Sequence, residues 1–417
     1  MQNHTDKSYV YCTPYLDEIK RIRDACGRWR FKEPIPNESS KIDNFNKLLA
    51  SGTDIAVTHA TLLNATEKTI NNIQEGEYTL ILDETIDVIQ EYNDLSSVKE
   101  AHQALNDTNI KSILLEKGFI SIGEDNKVTW TERKHNDDFQ YSEFERLASL
   151  GRVYCISRRC MLVVLPIELF RAFKEVYVLT YQFDGSLLQH YFDFFRLDYE
   201  INFDHEADRL FREKCRRLIT LHGGEKDKRN YLSSHWYDGA TKKDIRAVKK
   251  KLENYYGNTL RRTGYKVDDA MWTCPKKREL DLCGKGYTRR DLTEEERARP
   301  KEEQEVIRQE KTLRFVPCNA RATNDYKDRW ALAYCCNMNY NPMIKRFFTD
   351  WNEQRRKDGL PVIEPNNDKF ALSSLIQWIY RSRIRDDKEI HLLIVSKRIY
   401  DLFVDWINGV DLQSSAS

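Results

Sequence analysis

The chain has 417 residues, 32% charged and 40% apolar, which is enough for two sizeable cores rather than one. Its formal net charge is only +1, so the whole-molecule field says nothing for or against nucleic acid and only local charge can speak. Ten cysteines without a C-x-x-C pair, apolar runs far shorter than a membrane span, and a polar N-terminus argue against a disulfide frame, a zinc site and a membrane protein; they predict reduced thiols and a cytoplasmic location.

In chain order, Tyr9–Cys12 reads as a short buried strand, Thr13-Pro14 as a strand-to-helix turn, and Leu16–Ala25 as an amphipathic helix. A helix carrying Phe45, Leu48 and Leu49 then leads to a strand Ile55–Thr58, with His59 at its carboxyl end. The third strand, Leu80–Asp83, ends in the acidic pair Asp83-Glu84. Strands alternating with helices predict a parallel sheet, whose ligands sit beyond the carboxyl ends of the strands, where Thr13, Thr58, His59, Asp83 and Glu84 all fall.

The pattern weakens over 88–142, which reads as an insertion holding a helical stretch at Val98–Leu105 and a hairpin at Phe119–Thr131. A helix near Phe144–Leu147, a strand Met161–Leu165, a short helix from Pro166 to Phe173 and a strand Val176–Leu179 ending in Thr180 follow, and the first domain spans 1–200. The second, 201–417, opens with a basic stretch: 212–262 holds 15 Lys or Arg against 6 Asp or Glu, interleaved with Trp236, Tyr237, Tyr255 and Tyr256. Such a mixture suits a nucleic-acid channel, although Lys242–Lys251 also suits the wet side of one helix. A charged connector covers 284–310. Order resumes with a strand at Ala331–Tyr334, helices at Met343–Trp351 and Phe370–Tyr380, a strand at Ile390–Val395, and a last helix at Arg398–Ile407.

Two constellations carry chemistry. In a nucleotide-hydrolysing domain an aspartate at the end of such a strand holds Mg²⁺ through its water shell, and the glutamate beside it polarises the attacking water. The companion phosphate loop, G-x-x-x-x-G-K-[ST], is absent; the nearest imitation, Cys283–Thr288, lacks the earlier glycine. In the second domain Gln377, Arg381 and Arg385 recur every four residues, so a continuing helix places them on one face. That stripe suits a triphosphate, with arginine balancing charge on the transferring phosphoryl group, and suits equally an exposed basic helix end.

The order of these segments resembles the superfamily 2 helicases, in particular DEAD/DEAH-like ATPases of phages and mobile elements. Residues 11–16 are similar to the first DNA-contact motif, Thr58-His59-Ala60 to the next, Leu82–Thr85 to the Walker B motif, and Val178–Tyr181 to the motif coupling hydrolysis to domain movement. Residues 319–324 stand where a motif of the second domain lies, and Gln377–Arg385 resembles the arginine-finger motif, with Tyr380 in place of its glycine and the last arginine one place late.

The resemblance implies two RecA-like α/β domains with a nucleotide cleft between them, ATP and Mg²⁺ as cofactors, and DNA and phage or host replication proteins as partners. It implies Asp83 on Mg²⁺, Glu84 as base, Arg381 and Arg385 toward the γ-phosphate, and Gln377 sensing nucleotide. Thr13, Pro14, Thr58 and His59 contact the nucleic-acid backbone, and Thr180 couples. Only eight residues precede Tyr9, where relatives carry a strand and the phosphate loop, so the first domain is expected to be truncated at its N-terminus and hydrolysis impaired. A non-hydrolysing nucleic-acid-binding or regulatory protein on the same scaffold is the alternative. A nuclease using Asp83 and Glu84 with further carboxylates at Asp87 or Asp184 is a third, lacking a compelling spacing.

Overall fold

The structure, a computed structural model, describes residues 8–26, 31–36, 40–92, 114–131, 142–157, 160–228, 230–288, 294–304, 314–318 and 326–410. The chain divides into two compact units, one of residues 1–200 and 340–365, the other of 201–339 and 366–417. Both are RecA-like α/β units built on a four-stranded parallel sheet.

In the first unit, β1 (Tyr9–Thr13), β2 (Ile55–Thr58), β3 (Thr79–Asp83) and β9 (Glu175–Leu179) lie in the order β2-β1-β3-β9. Strand pleating sends alternate residues to opposite faces. Val10, Cys12, Val57, Leu80 and Leu82 enter the main core with Phe45, Leu49 and Phe170. Tyr9, Tyr11, Ala56 and Ile81 pack on the other face against Ile19 and Ile22 of the helix Leu16–Ala25. Both faces are covered over β1, β2 and β3, whereas Tyr177 and Leu179 of the edge strand β9 stay exposed.

The inserted region is larger than 88–142. Between β3 and β9, β4 (Ile89–Glu91) pairs antiparallel with β8 (Cys160–Val164), which pairs with β7 (Val153–Ser157). The strand expected at Met161–Leu165 therefore belongs to this small sheet and not to the parallel one. The expected hairpin is present as β5 (Ile120–Ile122) and β6 (Val128–Trp130), and with the helix Ser142–Ser149 it encloses a separate core around Leu114, Trp130, Phe144 and Met161. The helix expected at 98–105 lies outside the described residues.

A single boundary at 200 needs correction as well. Phe347, Phe348 and Ile363 are core residues of the first unit, and Asn352 exchanges two 2.9 Å hydrogen bonds with the backbone of Ile363, so the excursion 340–365 folds there and not with the second domain. Periodicity shows a helix in that stretch but not which core receives it.

In the second unit, β10 (Ile219–Gly223), β11 (Ala270–Thr273), β12 (Ala331–Tyr334) and β13 (Ile390–Ile394) lie in the order β10-β13-β12-β11. Tyr256 donates its hydroxyl between the carbonyls of Met271 and Ala331, and Tyr237 donates to Cys335. Arg398 ties the ends of the excursion: it donates to Asn337 Oδ1 (2.6 Å), the Met338 carbonyl (3.0 Å), the Asn367 carbonyl (2.9 Å) and Asp368 (2.5 and 2.8 Å). Among the described residues no helix is long and apolar enough to cross a membrane.

Candidate functional site

The carboxyl ends of β1, β2, β3 and β9 bring six of the expected residues together: Thr13, Thr58, His59, Asp83, Glu84 and Thr180. Asp83 closes β3, and its Oδ2 accepts from Tyr11 Oη (2.8 Å) and Thr13 Oγ1 (3.4 Å) on β1. Its carbonyl lies 3.0 Å from His59 Nε2, which faces it from the helix that follows β2. Burial, helped by the bond to Asp83, pushes the Tyr11 phenol above its usual value, so it stays protonated and donates. Tyr11 was not among the sequence candidates; its signal was its place two residues before Thr13 on the same strand face.

Glu84 turns the chain sharply. Its φ of 64° is a left-handed conformation that an L side chain adopts at a cost, of the kind that persists where surrounding contacts hold it. Two contacts do so: its amide donates to the Leu179 carbonyl (2.9 Å), one step beyond the β3–β9 pairing, and its Oε2 accepts from Thr180 Oγ1 (2.9 Å). The two carboxylates are thus held by different strands, Asp83 by β1 and Glu84 by the end of β9.

The expected nucleic-acid contacts stand differently. Thr13 is fully buried, and Thr58 and His59 nearly so. Thr58 Oγ1 pairs with Thr61 Oγ1 at 3.2 Å. Thr13 and His59 bond to Asp83 while Thr58 bonds within its own turn; beside them Pro14 is half-buried and Ala60 exposed.

In the second unit the stripe Gln377, Arg381, Arg385 is not a helical face. The helix Asn367–Ile379 stops at Tyr380, Ser382 is extended, and Arg385 sits in a separate 3₁₀ turn, Arg383–Asp386. Ser382 caps that turn through its side chain, a local bond that competes with helix continuation. Gln377 is half-buried, Arg381 buried, and the Arg385 guanidinium lies 5.8 Å from the Tyr380 ring centroid. Residues 319–324 are outside the described set.

Of the aromatics in the basic stretch, Tyr237, Tyr255 and Tyr256 are buried core and not stacking platforms. The cations fare otherwise: the helix Lys242–Asn254 buries Ile245, Val248 and Leu252 and exposes Lys242, Lys243, Arg246 and Lys250. Among the described residues no group of three or more His, Cys, Asp or Glu side chains is arranged to hold a metal ion.

Residues 213–407 match the family model described as the YonV C-terminal Rossmann-like domain. Among solved structures, one described as XPD_APO superposes with a TM-score of 0.51 at 12% identity, covering 97% of this chain and 91% of that one; another, XPD_Helicase, gives 0.48 at 11% over 97% and 90%. The first likeness is one of fold, tandem RecA-like units. The SPbeta prophage-derived uncharacterized protein YonV of Bacillus subtilis (strain 168) is 30% identical over 435 residues, 98% of this chain and 94% of that protein, and the chain therefore belongs to the YonV family.

Proposed function

We propose that this protein is a helicase-like, ATP-dependent nucleic-acid-processing protein, acting on DNA in a phage setting with phage or host replication proteins, and that its own ATP turnover is slow. The observation that carries this reading is the pair Asp83-Glu84 at the carboxyl edge of a parallel sheet, with Thr180, directly after β9, bonded to Glu84. The carboxylates suit Mg²⁺, which keeps several waters and takes one or two carboxylates together with phosphate oxygens. Nothing in the sequence supplies the loop that cradles those phosphates, so ATP fits the site in part. Asp83 holds the metal, Glu84 is the base and Thr180 couples Glu84 to β9. Gln377 senses nucleotide, while Arg381 and Arg385 balance phosphoryl charge. Nucleic-acid contact at this edge falls to the surface around Pro14, Thr58 and Ala60, with Thr13 and His59 positioning Asp83.

The test is Mg²⁺-dependent ATP hydrolysis by the full chain, with and without single-stranded DNA, compared with Glu84→Gln. Slow turnover is expected; robust turnover abolished by Glu84→Gln would overturn the slow step and support the pair. The missing phosphate loop favours a second reading, a non-hydrolysing nucleic-acid-binding protein. Salt-dependent DNA binding that survives Glu84→Gln and ignores ATP would select it.

A further inference from the structure

At the carboxyl ends of β10 and β13 the second unit has a cavity of about 230 Å³, among whose lining residues are His222, Glu225, Lys251, Asn254, Tyr255 and Thr259. Lys251 and Tyr255 belong to the basic stretch singled out in the sequence; His222, Asn254 and Thr259 were not singled out. Parallel α/β sheets place ligands at this end. Two backbone features mark it as built. Gly223, at the rim, has φ +112°, and a Cβ there would meet the Ile394 carbonyl oxygen at 2.0 Å, so only glycine closes the wall. Tyr255–Thr259 is a π-helical turn, a rare form concentrated at functional sites.

The chemistry of the cavity favours an uncharged occupant over a phosphate. Lys251 is already paired with Glu225 at 2.6 Å, so its charge is neutralised at the mouth. Burial holds the imidazole of His222, which lines the cavity, and that of His391, 3.1 Å from it, below their usual pKa, so His222 is uncharged near neutrality. What remains is a space with an amide at Asn254, a hydroxyl at Thr259 and the Glu225 carboxylate in its ion pair with Lys251, donors and acceptors of the kind that read the edge of a nucleobase.

The approach to it is cationic. Lys242, Arg246, Lys250 and Asn254 recur every four residues on one helix, all exposed, so they form a single stripe that ends in the cavity wall. Four residues rise about 6 Å along a helix, close to the spacing of successive phosphates in an extended single strand. None of the three cations forms an ion pair among the described residues.

We propose that a single nucleic-acid strand lies along the Lys242–Arg246–Lys250 stripe and inserts one unstacked base into the cavity beside Asn254 and Thr259. This rests on the nucleic-acid part of the proposed function and adds where the strand runs and how one base is held. Phosphates supply salt-dependent affinity, and the seated base supplies the position at which the strand is gripped.

The experiment is fluorescence anisotropy of a labelled oligothymidylate with the full chain, repeated with oligonucleotides carrying one abasic site at successive positions. One position should be about tenfold more sensitive than the rest, as the loss of a single stacked or seated base implies. Arg246→Glu with Lys250→Glu should weaken every oligonucleotide at least tenfold and lower the salt dependence by about two counterions. Thr259→Trp, which fills the cavity from an exposed position, should abolish the abasic-sensitive position while leaving the salt dependence unchanged. Uniform abasic sensitivity, wild-type behaviour of Thr259→Trp, or equally tight binding of free thymidine monophosphate would overturn the seated base while leaving nucleic-acid binding intact. Failure of the wild type to bind any single strand would instead overturn the proposed function on which it rests.

Discussion

Thr180 Oγ1 donates to Glu84 Oε2 across 2.9 Å, joining residues 96 positions apart in the chain at the carboxyl ends of two paired strands. Because Glu84 is also held in a left-handed backbone conformation, this bond fixes the direction of a carboxylate that the backbone alone would not favour. Thr180→Val removes the donor without changing the shape, and is expected to cost about 2 kcal/mol, the scale of a hydrogen bond to a charged group. Thr180→Ser should recover most of it. Urea denaturation of the three proteins decides the matter, and equal midpoints for Val and Thr would show that the bond contributes nothing.

The excursion 340–365 offers a test of the unit assignment. Phe347 is fully buried in the first unit's core, 4.8 Å from the Phe194 ring. Phe347→Ala should destabilise by about 3–5 kcal/mol through lost burial and a residual cavity. Hydrogen exchange should accelerate in peptides covering β1, β3 and β9, with those covering β11 and β12 least affected. The reverse pattern would move the excursion to the second unit.

Arg398 holds the two places where the chain leaves and re-enters the second unit. Its planar fork meets Asp368, Asn337 and two backbone carbonyls, a set that a lysine cannot reproduce. Arg398→Lys is therefore expected to lower stability by about 2 kcal/mol, with Arg398→Ala lower still. Thermal melts in which Lys matches wild type would contradict a geometric role for the guanidinium.

The His222–His391 pair predicts acid sensitivity. Burial lowers both pKa values, with His391 acting on His222 and Arg383 on His391, while Glu389 opposes the latter weakly; Tyr255 and Trp330 are the neighbouring rings. The unfolded chain then takes up protons first, so stability is fully present above about pH 6.5 and falls as the pH drops toward the folded values. Between about pH 7 and 5.5 the melting temperature should decline more steeply in wild type than in His222→Gln/His391→Gln. Parallel slopes would remove the pair as the cause.

Local pattern determined much of the fold. Apolar runs such as Tyr9–Cys12, Ile55–Thr58 and Leu80–Asp83, separated by helical stretches, specify parallel strands because a doubly covered strand must be apolar on both sides. The Asp83-Glu84 pair was legible for the same reason, since the end of a buried strand is where polar chemistry first appears. The stripe at Gln377, Arg381 and Arg385 was misread because spacing assumes that a helix continues, whereas the Ser382 side chain caps a new turn and ends it.

What only the tertiary structure decided are contacts between distant segments. Strand alternation puts Tyr11 on the face of Thr13, but nothing local pairs it with Asp83, places Met161 in an antiparallel sheet, or assigns 340–365 to the first core. Nor does spacing show that Asn254 and Thr259 meet His222 around a cavity, because a cavity is a property of strands and helices brought together, not of any one of them. Burial of an apolar face is written in the periodicity of a segment; which partner buries it is settled by packing across the whole unit, where many sequences of the same pattern compete for the same surface.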